Sequence, residues 1–142
     1  MKTSARNEFS GIIDSIKIGS VNAEVVLDIG HGHQLVAIVT NESVAELSLV
    51  RGSAAYALIK APWVIVIPEN SPLRTSARNR LCGVVSYCQT GPINGEVVLT
   101  LAGGQQLAAI ITQESVEGLG LQVGVRACAL IKASHIVLAV AA

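Results

Sequence analysis

From Glu8 to Ile18 polar residues interleave with β-branched ones (Ile12, Ile13, Ile16, Ile18), which predicts a β-strand. Gly19-Ser20 supplies a turn, Glu24 to Ile29 a second strand, Gly30-His31-Gly32 a hairpin turn, and Gln34 to Val39 a third strand. Over Asn41 to Leu49 the period changes. Val44, Leu47 and Ser48 fall at helical spacing behind Thr40, a residue suited to an N-cap, with Glu42 in the first turn. One short helix is expected there, ended by Arg51-Gly52. Ala54 to Lys60 and Val64 to Ile67 read as the fourth and fifth strands. The order β-β-β-α-β-β within about 65 residues fits a five-stranded Greek-key barrel of OB type, with a helix between strands three and four.

The same series then repeats. Thr3-Ser4-Ala5-Arg6-Asn7 returns as Thr75-Ser76-Ala77-Arg78-Asn79, and the register holds without a gap. Asn22-Ala23-Glu24-Val25-Val26-Leu27 matches Asn94-Gly95-Glu96-Val97-Val98-Leu99, and Ala57-Leu58-Ile59-Lys60-Ala61 matches Ala129-Leu130-Ile131-Lys132-Ala133. An ungapped register of this length is the mark of duplication. Pro68 and Pro72, with Asn70 and Ser71 between them, punctuate the joint. The expected organisation is therefore all-β with short helices: one barrel over residues 1–68, a linker over 69–74 and a second barrel over 75–142. Each barrel alone is small for a stable core, so apolar surface is expected to be covered between repeats and between subunits.

Composition narrows the function. The chain has 142 residues, 51% of them hydrophobic, and ten basic residues balance ten acidic ones. Zero net charge removes the electrostatic footprint of a nucleic-acid binder. Four aromatics (Phe9, Tyr56, Trp63, Tyr87) are too few for base-stacking platforms. No apolar run reaches the roughly 18 residues of a membrane span, and the polar stretch from Met1 to Phe9 is unlike a signal peptide. Cys82, Cys88 and Cys128 lack metal-ligand spacing and fall where the first repeat has Ser10, Ile16 and Tyr56. Buried, unbridged thiols in a reduced, cytoplasmic protein are expected.

No catalytic set is duplicated. His31 aligns with Gly103, His33 with Gln105 and His135 with Trp63, and Glu24/Glu96 and Glu42/Glu114 have no partner at suggestive spacing. The chain does not read as an enzyme. His31 and His33 are a candidate metal pair, but surface histidines in a turn is the plainer reading. What does repeat is a set of hydrogen-bond donors: Ser4-Ala5-Arg6-Asn7, then Thr40-x-x-Ser43 at the helix start, then Lys60-Ala61. Taken singly, these are a terminus, a helix cap and a surface lysine. Together they supply hydroxyls, amides and two permanent cations, the inventory that suits an oxyanion.

These segments resemble the molbindin family, small molybdate-binding proteins built from Mop-type domains. The resemblance rests on Ser4-Ala5-Arg6-Asn7, Val21-Asn22-Ala23-Glu24-Val25, Thr40-Asn41-Glu42-Ser43-Val44 and Ala57-Leu58-Ile59-Lys60-Ala61, each followed by its copy. The second copy has Ile93 where the first has Val21. The resemblance implies tandem OB-type domains, a homotrimer, and molybdate or tungstate bound between domains. It implies that the Ser4-Ala5-Arg6 or Ser76-Ala77-Arg78 segment of one domain meets the other segments of a neighbour. Those are Thr40, Ser43, Lys60 and Ala61, with Thr112, Ser115, Lys132 and Ala133. A further site class on a threefold axis would fall near Ser20-Val21-Asn22 and Pro92-Ile93-Asn94. The function implied is reversible storage of the oxyanion without chemistry on it. A molybdate-sensing module acting on a protein partner is the alternative, and a nucleic-acid-binding OB protein a distant one.

Overall fold

A computed structural model describes residues 2–142. The chain forms two five-stranded antiparallel sheets with only short helices. The first repeat holds β1 (Asn7–Ile18), β2 (Asn22–Gly30), β3 (His33–Thr40), α1 (Asn41–Glu46), β4 (Ala54–Ile59) and β5 (Ile65–Pro68). The second holds β6 (Asn79–Thr90), β7 (Asn94–Leu101), β8 (Gln106–Thr112), α2 (Gln113–Gly118), β9 (Arg126–Ile131) and β10 (Val137–Ala139). A single turn of 3-10 helix, Ala61–Trp63 or Ala133–His135, precedes the last strand of each repeat. Among the described residues no helix is long and apolar enough to cross a membrane.

The strand order is β10-β4-β1-β2-β3 in one sheet and β5-β9-β6-β7-β8 in the other. The compact units therefore differ from the repeats. One comprises the chain up to Ile59 with Lys132–Ala142, and the other is Lys60–Ile131. The division of the compact units falls at 59/60 and 131/132, before the last strand of each repeat. The backbone explains this. Lys60 and Val64, flanking the first 3-10 turn, are both extended (φ −73°, ψ 131° and φ −86°, ψ 127°). Lys132 and Ile136 repeat those values closely. No left-handed residue occurs in either connector to reverse the chain into a hairpin. The proline-flanked stretch is itself tied down within the second unit. The Glu69 carbonyl accepts from Arg80 at 3.0 Å, and the Glu69 carboxylate pairs with Arg126 Nε at 2.6 Å.

In both units the long first strand passes very close to its neighbour. A Cβ on Gly11 would lie 2.3 Å from the Asp28 carbonyl oxygen, and one on Gly83 would lie 2.3 Å from that of Thr100. Each strand then bulges, between Ile13 and Ser15 and between Val85 and Tyr87, which sharpens its twist. Alternate residues fill the cores: Val25, Leu27, Leu35 and Ile59 in one, Val97, Leu99, Leu107 and Ile131 in the other. Each such side chain contributes about 1.5–3 kcal/mol when fully buried. The helix is shorter than expected. It ends at Glu46, before Arg51-Gly52, because Ser48 turns left-handed (φ 52°), as Gly120 does in the second repeat (φ 63°).

The expectation of unbridged thiols is overturned for two of the three cysteines. Cys82 on β6 is the direct register partner of Cys128 on β9, and the two form a disulfide. Cys88 is a half-buried free thiol.

Candidate functional site

Each helix start is built the same way. The Thr40 hydroxyl accepts the Ser43 N–H at 3.1 Å and donates to Ser43 Oγ at 2.8 Å. Thr112 and Ser115 repeat both bonds at the same distances. The capping reading of the threonine is thus correct, and it directs the chemistry. The Asn41 N–H is taken by the Val21 carbonyl and the Gln113 N–H by that of Ile93, each at 2.9 Å. With the threonine proton also used, the serine hydroxyl proton is the one left to donate outward.

The Thr-x-x-Ser platform of each unit faces the last strand of the other repeat. In the unit Lys60–Ile131, Thr112, Ser115 and Asn94 line a groove of ≈ 430 Å³ with Pro62, Val64, Ile65 and Val66. In the other unit Thr40 and Ser43 line a groove of ≈ 220 Å³ with Ile136, Val137 and Leu138. The 3-10 turn Ala61–Trp63 packs on β8, and Ala133–His135 packs on β3. Hence Lys60-Ala61 falls in the unit of Thr112 and Ser115, and Lys132-Ala133 in that of Thr40 and Ser43. This pairing of segments could not be read from either repeat alone.

Both lysines are exposed, and the alanines behind them are buried at 1% and 2%. Lys60 Nζ stands 5.7 Å from the centroid of the Trp63 ring, a cation–π contact that places its charge. The corresponding residue beyond Lys132 is His135.

Ser4-Ala5-Arg6 and Ser76-Ala77-Arg78 lead into β1 and β6, outside both grooves. Each is shaped by the threonine before it: the Ala5 N–H donates to Thr3 Oγ1 at 3.1 Å, and the Ala77 N–H to Thr75 Oγ1 at 3.3 Å. The serines and arginines are exposed. The asparagine closing each segment has a role that sequence reasoning did not assign. Asn7 and Asn79 are the polar residues buried in the core, each at 2% exposure. Asn79 Nδ2 donates to the Ile131 carbonyl at 3.2 Å, and Asn7 stands opposite Ile59 in the register. Their identity across the repeats was the available signal.

The loops proposed for an axial site also repeat. The Gly19 N–H donates to the Asn22 carbonyl and the Gly91 N–H to that of Asn94, each at 2.9 Å. Asn41 Nδ2 adds a bond to the Gly19 carbonyl at 3.0 Å. Ser20, Asn22, Pro92 and Asn94 are exposed, and Val21 and Ile93 are exposed at 70% and 75%. His31 sits in the β2–β3 turn and His33 opens β3. Among the described residues the group of three metal-ligand side chains brought together is Glu69, Cys82 and Cys128, not this pair. There the two sulfurs are bonded to each other and Glu69 is paired with Arg126.

A solved structure of the cytoplasmic molybdate-binding protein ModG, with molybdate bound, superposes with a TM-score of 0.96 at 46% identity. That match covers 99% of this chain and 100% of the other. The molybdenum-pterin-binding protein MopA of Rhodobacter capsulatus is 43% identical over 139 residues, covering 98% of this chain and 52% of MopA. The molybdenum transport protein ModE of Azotobacter vinelandii is 40% identical over 140 residues, covering 99% of this chain and 52% of ModE. The chain thus spans about half the length of the curated relatives it matches. The family model of the TOBE domain matches twice, over residues 3–66 and 75–138. With the repeated segments, the paired five-stranded sheets and two matches that span nearly the whole sequence, the chain belongs to the TOBE (molbindin) domain family, in tandem form.

Proposed function

We propose that the chain binds molybdate, and tungstate as its near-isostere, and holds it reversibly as a cytoplasmic store, without chemistry on the anion. The observation that carries this reading is the whole-chain likeness to molybdate-bound ModG at 46% identity. The residues supply the means. In one site class the Ser115 hydroxyl and Lys60 meet the anion, and in the other Ser43 and Lys132 do so. The exposed serine and arginine side chains of Ser4-Ala5-Arg6 and Ser76-Ala77-Arg78 complete the shells from neighbouring domains. A tetrahedral dianion needs several donors and partial neutralisation, and these groups offer both. Sulfate has the same shape and charge, so discrimination rests on the size of the shell.

The quaternary state belonging to this reading is a homotrimer, with a further site class near Ser20-Val21-Asn22 and Pro92-Ile93-Asn94. Exposed Val21 and Ile93 in those loops favour a subunit contact there. Ligand bound between subunits would stabilise the assembly by mass action.

The test is isothermal titration with molybdate, with sulfate as control, on protein whose mass is fixed by light scattering. Saturable uptake above one molybdate per chain, on a trimer, with little sulfate uptake, is expected. Absence of molybdate binding refutes the reading. A protein partner captured only in the presence of molybdate would move the function from storage to sensing.

A further inference from the structure

The Cys82–Cys128 pair is chemistry that oxyanion binding does not use. The two residues face each other on β6 and β9 and are joined by a disulfide. The first repeat has Ser10 opposite Tyr56 at this point, so the couple exists in one repeat only. Cys128 is fully buried and Cys82 half-buried. With Ile67 and Leu130 they form one apolar cluster, and Ala77 packs against it. Ala77 is the middle residue of Ser76-Ala77-Arg78, and it is the member of the cluster that lies outside a strand. Arg80 and Arg126 stand two positions from the cysteines, on the same face of their strands, with Glu69 bonded to both. Two arginines and one glutamate leave this flank with one net positive charge.

We propose that Cys82–Cys128 is a reversible redox site, reduced by a cellular thiol, whose state sets the oxyanion affinity of the Ser76–Arg78 segment and leaves that of Ser4–Arg6 unaltered. The reductant's thiolate attacks Cys82 Sγ, the more accessible sulfur. The S–S bond breaks, and Cys128 leaves as a thiolate and takes up a proton. A second thiol of the reductant attacks the mixed disulfide, releasing Cys82 as a thiol and the reductant as its disulfide. Two electrons pass to the protein. A low-molecular-weight disulfide reverses the sequence.

The mechanical link is steric. Reduction replaces a covalent bond by a non-bonded contact, so the sulfurs separate by about 1.5 Å. Cys128 is fully buried, and close-packed interiors transmit such strain. Ile67 and Leu130 are held by the β5–β9 and β6–β9 ladders. Ala77 lies outside the ladders and is tied by its N–H to Thr75 Oγ1, so it is the member that shifts, and it carries the Ser76 and Arg78 side chains with it.

The inference rests on the oxyanion reading above, and the experiment separates the two. The full chain is equilibrated in oxidised or reduced dithiothreitol, its thiols are counted by alkylation and mass spectrometry, and each form is titrated with molybdate. The oxidised form is expected to show one reactive thiol (Cys88) and the reduced form three. Reduction should weaken one class of molybdate sites about tenfold or more and leave the other within twofold. Cys88→Ser should keep this difference, and Cys82→Ala, checked for folding by circular dichroism, should abolish it. No molybdate binding by either form refutes the oxyanion reading, and binding by the reduced form alone overturns the redox inference. Binding that is equal in the two forms, an equal loss at all sites, or a thiol count that does not change overturns the redox inference alone.

Discussion

Removing the Ser115 hydroxyl and removing the Thr112 hydroxyl should have different consequences, although the two groups are 2.8 Å apart. Thr112 holds the helix start: its oxygen accepts the Ser115 N–H, and its proton goes to Ser115 Oγ. Thr112→Val keeps the shape and loses the cap, which costs about 1 kcal/mol. For a chain of this size that is a fall in Tm of about 3–5 °C. Ser115→Ala keeps the cap, since Thr112 still accepts the Ser115 N–H. Its stability cost should stay below about 0.5 kcal/mol, because the orphaned threonine proton can reach water. The serine proton, in contrast, is the one available to a ligand. A hydrogen bond to a charged group contributes about 1.5–3 kcal/mol, so Ser115→Ala should weaken molybdate binding by about 10- to 150-fold. Thermal unfolding without ligand and isothermal titration with molybdate read the two effects separately. The pair Thr40 and Ser43 serves as an internal replicate, because its two distances are the same. Refutation would be an unchanged affinity in both serine variants, or a Tm loss in Ser115→Ala equal to that in Thr112→Val.

Other expectations follow from the same geometry. Lys60→Ala and Lys132→Ala should each weaken molybdate binding with the fold intact, and a double variant with unchanged stoichiometry and affinity in titration would exclude both lysines from the sites. Gly83→Ala sets a methyl group 2.3 Å from a backbone carbonyl oxygen; overpacking of that kind costs about 1–3 kcal/mol, visible as a lower urea midpoint. Asn79→Ala leaves the Ile131 carbonyl without its side-chain donor inside the core, and denaturant unfolding should report a loss of about 1–3 kcal/mol. Glu69→Gln breaks an ion pair whose side chains are 41% and 56% exposed; its effect on stability should stay under about 1 kcal/mol and shrink further in high salt.

Much of the fold was legible in the sequence because alternation and capping are local. Strand 1 was expected from Glu8 and begins at Asn7, and strand 3 was expected from Gln34 and begins at His33. Thr40 was expected as an N-cap and is one. Partner choice was not legible. Val64 to Ile67 and Ile136 to Ala139 present nearly the same apolar pattern, so periodicity fixes their faces without saying which sheet each completes. That is decided by extended backbone at Lys60, Val64, Lys132 and Ile136, which composition does not encode. The disulfide was hidden for a related reason. A separation of 46 residues means nothing until register sets Cys82 opposite Cys128. At the site, the donor groups were readable as types. Which lysine shares a unit with which Thr-x-x-Ser segment depended on the strand exchange.

That exchange also orders the birth of the molecule. The unit Lys60–Ile131 is one unbroken stretch of chain, so everything it needs has been made once Ile131 leaves the ribosome. The other unit contains β1, which is synthesised before any strand of the second repeat, yet its sheet ends on β10, so it waits for Lys132–Ala142. Until then β4 presents an open edge on the nascent chain, the kind of surface that a strand from a second, half-finished copy can fill. Translation speed across the second repeat therefore governs how long that edge stays exposed to neighbours on the same messenger RNA.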